Sequence, residues 1–259
     1  MKNTRLGIGF IGGGFIARFH IKSLIGVRDA DVLGVVSKQL DTAEEAAIFA
    51  RKIGVGEAKA YDSITDMVAD KNIHALWICA PNFTRIEVME EIVHAIETGK
   101  GELIGVTCEK PLGRNVAEAK RMLELAQKVD LLDGYLENQV FSPSITRGKE
   151  IIWARGAATT GRPFLARAAE EHSGPHMPWF WEGELQGGGV LNDMMCHSVE
   201  EARFMLTEPG KPRNSIKPVS VSAHTDCLKW QRSKYTDILS KNRGGKTDYL
   251  KRPSEDLAR

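Results

Sequence analysis

The sequence predicts an α/β protein: a doubly wound parallel sheet followed by a second, smaller α/β domain. Three observations lead there. Short apolar runs of strand type alternate with helical patterns from the start of the chain to about Tyr135, a glycine triplet separates the first run from the first helical pattern, and after Asn138 the alternation stops. The reading divides the chain into segments 1–136 and 137–259.

Leu6–Ile11 is the first strand, Gly12-Gly13-Gly14 the turn after it, and Phe15–Val27 a helix in which apolar and polar residues alternate at about the helical period. Val32–Ser37, His74–Cys79, Leu103–Cys108 and Leu131–Tyr135 follow as strands, with helices at Asp41–Ile53, Phe83–Thr98 and Asn115–Val129. Asp41 and Asn115 each stand ahead of an acid three residues on, the pattern of a capping box. Gly99 and Gly101 close the helix that begins near Phe83. Strand and helix in strict alternation imply a parallel sheet covered on both faces. Beyond Asn138 the pattern gives a helix at Pro143–Ala154 and a strand at Phe164–His172. A loop rich in glycine and aromatics to Gly189 comes next, then a helix at Val190–Leu206 and a strand at Val219–Asp226. The polar stretch that ends the chain, with Gly244-Gly245, offers little core, so this second domain reads as incomplete.

Composition narrows the function classes. The 259 residues are 42% hydrophobic and 27% charged, enough apolar material for about two domains. A formal net charge of +1 gives no broad electrostatic field, so neither nucleic acid nor an acidic membrane is the expected partner. The basic concentration from Lys229 to Arg252 is interrupted by acids and reads as a solvated surface. Cys79, Cys108, Cys196 and Cys227 form no CxxC pair and read as reduced core thiols. Lys2 and Arg5 ahead of Leu6–Ala17 imitate a secretory leader. The glycine turn lies inside that run, however, and Arg18-Phe19-His20 is not a small-residue cleavage site. With no apolar stretch of about 20 residues, a cytoplasmic protein is the expectation.

The glycine turn carries the first chemical reading. A strand that turns through glycines into a helix exposes N-terminal amides to a pyrophosphate, and the helix dipole adds to the attraction. Gly12 suits the tight turn, Gly14 lets phosphates approach the backbone, and Ala17 stands where a small residue lets helix and strand pack closely. Gly13, Phe15 and Ile16 complete the proposed cofactor contact. NAD-binding versions of this fold tend to carry an acid at the end of the second strand, for the ribose 2′-hydroxyl. This chain has Ser37-Lys38 there, which suits a 2′-phosphate, so of NADP and NAD the former is slightly favoured.

Two clusters carry the reaction chemistry. In Cys108-Glu109-Lys110-Pro111 a lysine emerges at the carboxyl end of a strand, where open α/β sheets place ligands; its charge stabilises a forming alkoxide. The alternative is a surface lysine at a turn made by Pro111. In Gly187-Gly188-Gly189 through His197, a continuous helix from Val190 sets Asp193 and His197 on one face, a proton acceptor with a carboxylate to orient it. The competing reading is a capping aspartate and a histidine satisfied between domains. A metal site from His172, His176, Asp193 and His197 is set aside, because Gly174-Pro175 keeps the two leading histidines off a shared helical face. Trp179, Phe180 and Trp181 lie in the same loop and suit either stacking on a sugar ring or interdomain packing.

Together, Gly12-x-Gly14-x-x-Ala17, Ala80-Pro81-Asn82, Glu109-Lys110-Pro111 and the glycine triplet ahead of Asp193-x-x-x-His197 resemble the glucose–fructose oxidoreductase and inositol dehydrogenase (Gfo/Idh/MocA) family. The resemblance runs from Leu6 to about Leu206. It implies a Rossmann-type nucleotide-binding domain and a substrate domain whose broad, largely antiparallel sheet often forms homo-oligomer contacts. It also implies that Pro81, Asn82 and Glu109 lie at the cofactor, that Lys110 contacts substrate and nicotinamide, that Asp193 holds the substrate, and that His197 is the acid–base residue. Two departures stand out. The family often has a histidine three positions after the asparagine, where this chain has Arg85, and its members usually run longer. The resulting expectation is an NAD(P)-dependent oxidoreductase moving a hydride between nicotinamide and a sugar, polyol or cyclitol. A nucleotide-binding sensor or catalytically silent partner of the same fold is the alternative, and a zinc hydrolase a distant third.

Overall fold

The computed structural model describes residues 5–174, 177–242 and 254–259. The chain divides into two compact units, Met1–Leu136 and Glu137–Arg259.

The first unit alternates strand and helix throughout: β1 (Leu6–Ile11), α1 (Phe15–Ser23), β2 (Ala30–Val36), α2 (Leu40–Lys52), β3 (Lys59–Tyr61), α3 (Ile64–Val68), β4 (Ala75–Ile78), α4 (Arg85–Glu97), β5 (Gly105–Glu109), α5 (Val116–Lys128) and β6 (Leu132–Leu136). All six strands pair in parallel, in the order β3-β2-β1-β4-β5-β6. Winding reverses between β1 and β4, which opens a crevice beyond their carboxyl ends. One face of the sheet buries Ile8, Phe10, Val32 and Val35 under α1 and the alanines 43, 46, 47 and 50 of α2. Those alanines recur at helical spacing, and their small side chains let α2 lie close to the strands. The other face buries Ile11, Leu76, Ile78 and Val106 under Met67, Met89, Ile92, Met122 and Leu125 from α3, α4 and α5.

Short β3 and α3 escaped the sequence reading because three and five residues are too few to display a period. The expected cap at Asn115 is present, its side chain accepting from the Glu118 amide at 3.0 Å. The expected cap at Asp41 is not. Gln39 occupies that place, and Asp41 lies inside the first turn, where its charge meets the positive end of the dipole.

In the second unit, α6 (Pro143–Ile151) runs through a π-helical turn, Ile152–Gly156, into α7 (Ala157–Thr160). Then come α8 (Gly183–Gln186), α9 (Val190–Asp193), α10 (Met195–Leu206), β7 (Thr225–Asp226), α11 (Ser233–Asn242) and β8 (Leu257–Ala258). β7 and β8 form a two-stranded antiparallel sheet. The α6 segment docks on α10 through Trp153 Nε1, which donates to the Met205 carbonyl at 2.9 Å, and Lys149 Nζ, which donates to the Phe204 carbonyl at 2.8 Å.

Two strand expectations need correction here. Phe164–His172 takes no strand pairing, and of Val219–Asp226 only Thr225–Asp226 is paired. Alternating apolar residues make a strand only when a neighbour accepts the backbone hydrogen bonds. Without one, Phe164 stays 92% exposed and Val219 100% exposed. Gly244-Gly245 lies outside the described residues. Among the described residues, no helix is long and apolar enough to cross a membrane.

One polar cluster beside β3 links the first unit to pH. The Tyr61 phenol donates to Asp70 Oδ2 at 2.6 Å, the Asn72 amide donates to Oδ1 at 3.0 Å, and Lys59 Nζ stands 3.2 Å from the same carboxylate. The Tyr61 hydrogen bond, reinforced by Asn72 and Lys59, holds the Asp70 carboxyl well below the usual range. Burial, with the carboxylate beside it, pushes the Tyr61 phenol up. A depressed folded pKa contributes stability that is full above the unfolded value of about 3.9 and is lost as pH falls through the folded value. Asp70→Asn is therefore expected to lower stability by about 1 kcal/mol at neutral pH and to flatten the acid side of a plot of Tm against pH. An unchanged slope below pH of about 4 would contradict this assignment.

Candidate active site

At the mouth of the crevice in the first unit, β1 ends in a turn that only glycine tolerates at its first position. Gly12 has φ +101°, and a Cβ there would stand 2.9 Å from the Cys79 carbonyl oxygen. Its amide donates to the Val36 carbonyl at 2.7 Å, which draws the turn against the end of β2 and brings Ser37-Lys38 next in line. A Cβ on Gly14 would meet nothing within 4 Å. This open side lies at the N-terminus of α1, the positive end of the helix dipole, so the backbone fits the approach of a phosphate. Ala17 is fully buried, the close contact between helix and strand that its size allows. Phe15 is exposed and Ile16 partly so.

The Lys110 turn follows β5, two strands from β1, and is held from two directions. Glu109 is buried; its Oε1 lies 2.5 Å from His20 Nε2 of α1, and its Oε2 accepts the Lys110 amide at 2.9 Å. The carboxylate thus faces inward, toward α1. From the other side Arg85, the first residue of α4, is only 4% exposed and reaches under the same turn. Its guanidinium donates to the carbonyls of Ala80 at 3.1 Å, Glu109 at 2.7 Å and Lys110 at 3.3 Å, and also to that of Pro111. The Lys110–Pro111 peptide is cis. Pro81 and the buried Asn82 sit in the β4–α4 connection, whose Ala80 carbonyl Arg85 also holds. Neither His20 nor Arg85 was assigned a role from sequence, although the Arg85 departure was visible there. All four cysteines are free thiols, and burial pushes Cys108 up to about 11.

In the second unit the expected pairing of Asp193 with His197 is corrected. The helix breaks at Met194: α9 ends at Asp193, α10 begins at Met195, and the His197 amide donates to the Met194 carbonyl at 3.0 Å instead of reaching back a full turn to Asp193. Each side chain has a partner distant in sequence. His197 Nδ1 lies 2.7 Å from both carboxylate oxygens of Glu137, with side-chain exposures of 7% and 1%. Asp193 Oδ2 stands 3.9 Å from His172 Nε2. Of the metal set weighed from sequence, His172 and Asp193 stand 3.9 Å apart, His197 is drawn to Glu137, and His176 lies outside the described residues. Instead, Glu137, Cys196 and His197 have donor atoms within 4.8 Å of one another.

Asp193 and His172 line a cleft of about 280 Å³ with Glu170, Glu255, Trp181 and Trp230. Trp181 packs edge-on to Trp230 with ring centroids 5.0 Å apart, and Trp179 stacks on Phe180 at 3.8 Å. Carboxylates beside aromatic faces form a wall that accepts hydroxyl hydrogen bonds and covers C–H surface.

Residues 6–132 match the family model described as "Oxidoreductase family, NAD-binding Rossmann fold", and residues 156–239 match the GFO/IDH/MocA C-terminal domain. Among curated relatives, the 1,5-anhydro-D-fructose reductase of Ensifer adhaerens is 28% identical over 77% of this chain and 56% of its own length. The myo-inositol 2-dehydrogenase of Thermotoga maritima is 28% identical over 78% of this chain and 55% of its own. The chain therefore spans about half the length of the curated relatives it matches. Among solved structures, GenD2 from gentamicin A biosynthesis, in complex with NAD, superposes with a TM-score of 0.68 at 25% identity, covering 88% of this chain and 58% of that one. With both parts of the chain matched by family models, and with a nucleotide-type turn at the switch point of its sheet, this protein belongs to the Gfo/Idh/MocA oxidoreductase family.

Proposed function

We propose that this chain acts as an NAD(P)-dependent oxidoreductase on a sugar, polyol or cyclitol. The observation that carries this reading is the conjunction, in one sheet, of the open glycine turn after β1 with a lysine presented at the carboxyl end of β5. When bound, the nicotinamide supplies or accepts the hydride. Gly12, Gly13, Gly14, Phe15 and Ile16 would hold the pyrophosphate, and Pro81 and Asn82 would flank the remainder of the cofactor. Glu109 would contribute from beneath, by fixing the backbone of Lys110. Ser37 and Lys38, in place of an acid, support NADP over NAD. The ammonium of Lys110 would stabilise negative charge on the substrate oxygen, His197 would take or return the hydroxyl proton, and Asp193 would accept a substrate hydroxyl. The relatives named as dehydrogenases and reductases favour turnover over a silent sensor.

Sugar, polyol or cyclitol is the substrate class supported by those relatives and by the carboxylate-and-tryptophan cleft around Asp193. A cytoplasmic location and homo-oligomerisation belong to the same proposal. The exposed Phe164, Leu165, Val219 and Val221 support association through the second unit, since burying them would remove apolar surface from water.

Three outcomes test this reading. Titrating NADPH and NADH against tryptophan fluorescence is expected to give tighter binding of NADPH, and clearly tighter NADH would reverse the preference. On a substrate found in a panel of sugars and inositols, Lys110→Ala and His197→Ala should each lose about 10²–10⁴-fold in kcat; near-normal turnover in both variants would refute the mechanism. Arg85→Ala should cost about 3 kcal/mol in urea unfolding, because it strands several carbonyls around the Lys110 turn, whereas Arg85→Lys should fold and bind cofactor yet turn over more slowly.

A further inference from the structure

We propose that Glu137 is a positioning residue for His197, fixing which imidazole nitrogen meets the substrate; this rests on the proposed reaction. The two side chains form a buried dyad in which both carboxylate oxygens stand 2.7 Å from Nδ1. The carboxylate is itself anchored, since the Gln139 amide donates to Glu137 Oε1 at 3.0 Å. A carboxylate accepts only, so Nδ1 must carry the proton. In the neutral ring Nε2 then holds the lone pair, and it is the atom that takes a hydroxyl proton and later returns it. The anion also stabilises the imidazolium formed when that proton arrives.

Glu201, one turn on in α10, feels the charges of Glu170, which lies after α7, and of Glu137. Burial, followed by the charge of Glu170, pushes the Glu201 carboxyl up, with the histidine opposing. Cys196 is the neighbouring thiol. On α9 the ionisable residue is Asp193, near His172, and on α6 Lys149 is bonded to the Phe204 carbonyl while Arg147 and Glu150 pair with each other. Glu137 is thus the carboxylate in direct contact with the ring, and it differs from Asp193, the partner that spacing alone had suggested.

The test is a long-range ¹H–¹⁵N spectrum of the full chain, with His197 assigned by its loss in His197→Gln. The expected result is a protonated Nδ1 and an acceptor Nε2 in the neutral form. Glu137→Gln should weaken the preference for a proton on Nδ1, because an amide can donate as well as accept, and Glu137→Asp should restore it. On an identified substrate, kcat should fall in Glu137→Gln with KM little changed and recover in part in Glu137→Asp, which a purely structural residue would not cause. A proton on Nε2 in the wild type, a tautomer preference and kcat unchanged in Glu137→Gln, or stoichiometric zinc that is lost in both Glu137→Gln and Cys196→Ser would overturn the proposal. The wild-type spectrum decides even if a variant fails to fold. A dyad intact by this measure with no hydride transfer across the substrate panel would count against the proposed reaction alone.

Discussion

The buried guanidinium of Arg85 is the interaction on which the first unit's functional edge depends. A charge taken out of water costs several kcal/mol unless its donors are met. Here backbone carbonyls from two connections meet them, that of residue 80 after β4 and those of residues 109 to 111 at the end of β5. Each such charge-assisted bond contributes about 1.5–3 kcal/mol net, so together they offset the burial and make the two loops one object. A histidine, the residue expected there from the family resemblance, has two ring nitrogens and could not span the same set. The fork of Arg85 reaches under the lysine turn and holds both loops at once.

The opposite side of that turn is fixed through α1. Glu109 bonds to His20 with one oxygen and to the Lys110 amide with the other, so the helix that begins at the glycine turn also supports the lysine. Trp77 packs edge-on to the His20 ring at 5.3 Å and closes this corner from water. A displacement of α1 would be felt at Lys110 through two hydrogen bonds, a short path between the phosphate-binding end of the helix and the ammonium.

The second unit uses the same device with different parts. A histidine is held by a buried carboxylate, and a nearby acid lines a cleft beside His172, with a helix break between the two. Had the helix run unbroken, Asp193 and His197 would have satisfied one another one turn apart. The break at Met194 separates an acid that faces the cleft from an imidazole anchored below. Among the described residues, the segments on either side leave Phe164, Leu165, Val219 and Val221 exposed and take no strand pairing before Thr225.

Periodicity, glycine placement and caps were enough to lay out β1, β2, β4, β5 and β6 and the helices between them, because a parallel sheet covered on both faces leaves a local signature in every element. The position of Lys110 after a strand was equally local. Partner choice was not. His20 with Glu109, Arg85 with the carbonyls of residues 109 to 111, and Glu137 with His197 join residues 24 to 89 positions apart, and no spacing rule reaches across such gaps. The same limit explains Phe164–His172, whose composition suits a strand but whose pairing depended on a neighbour. The sequence by itself determined the order and type of the elements and the chemical groups at their ends; the tertiary structure alone decided which of those groups touch, because burial rewards contact in space irrespective of distance along the chain.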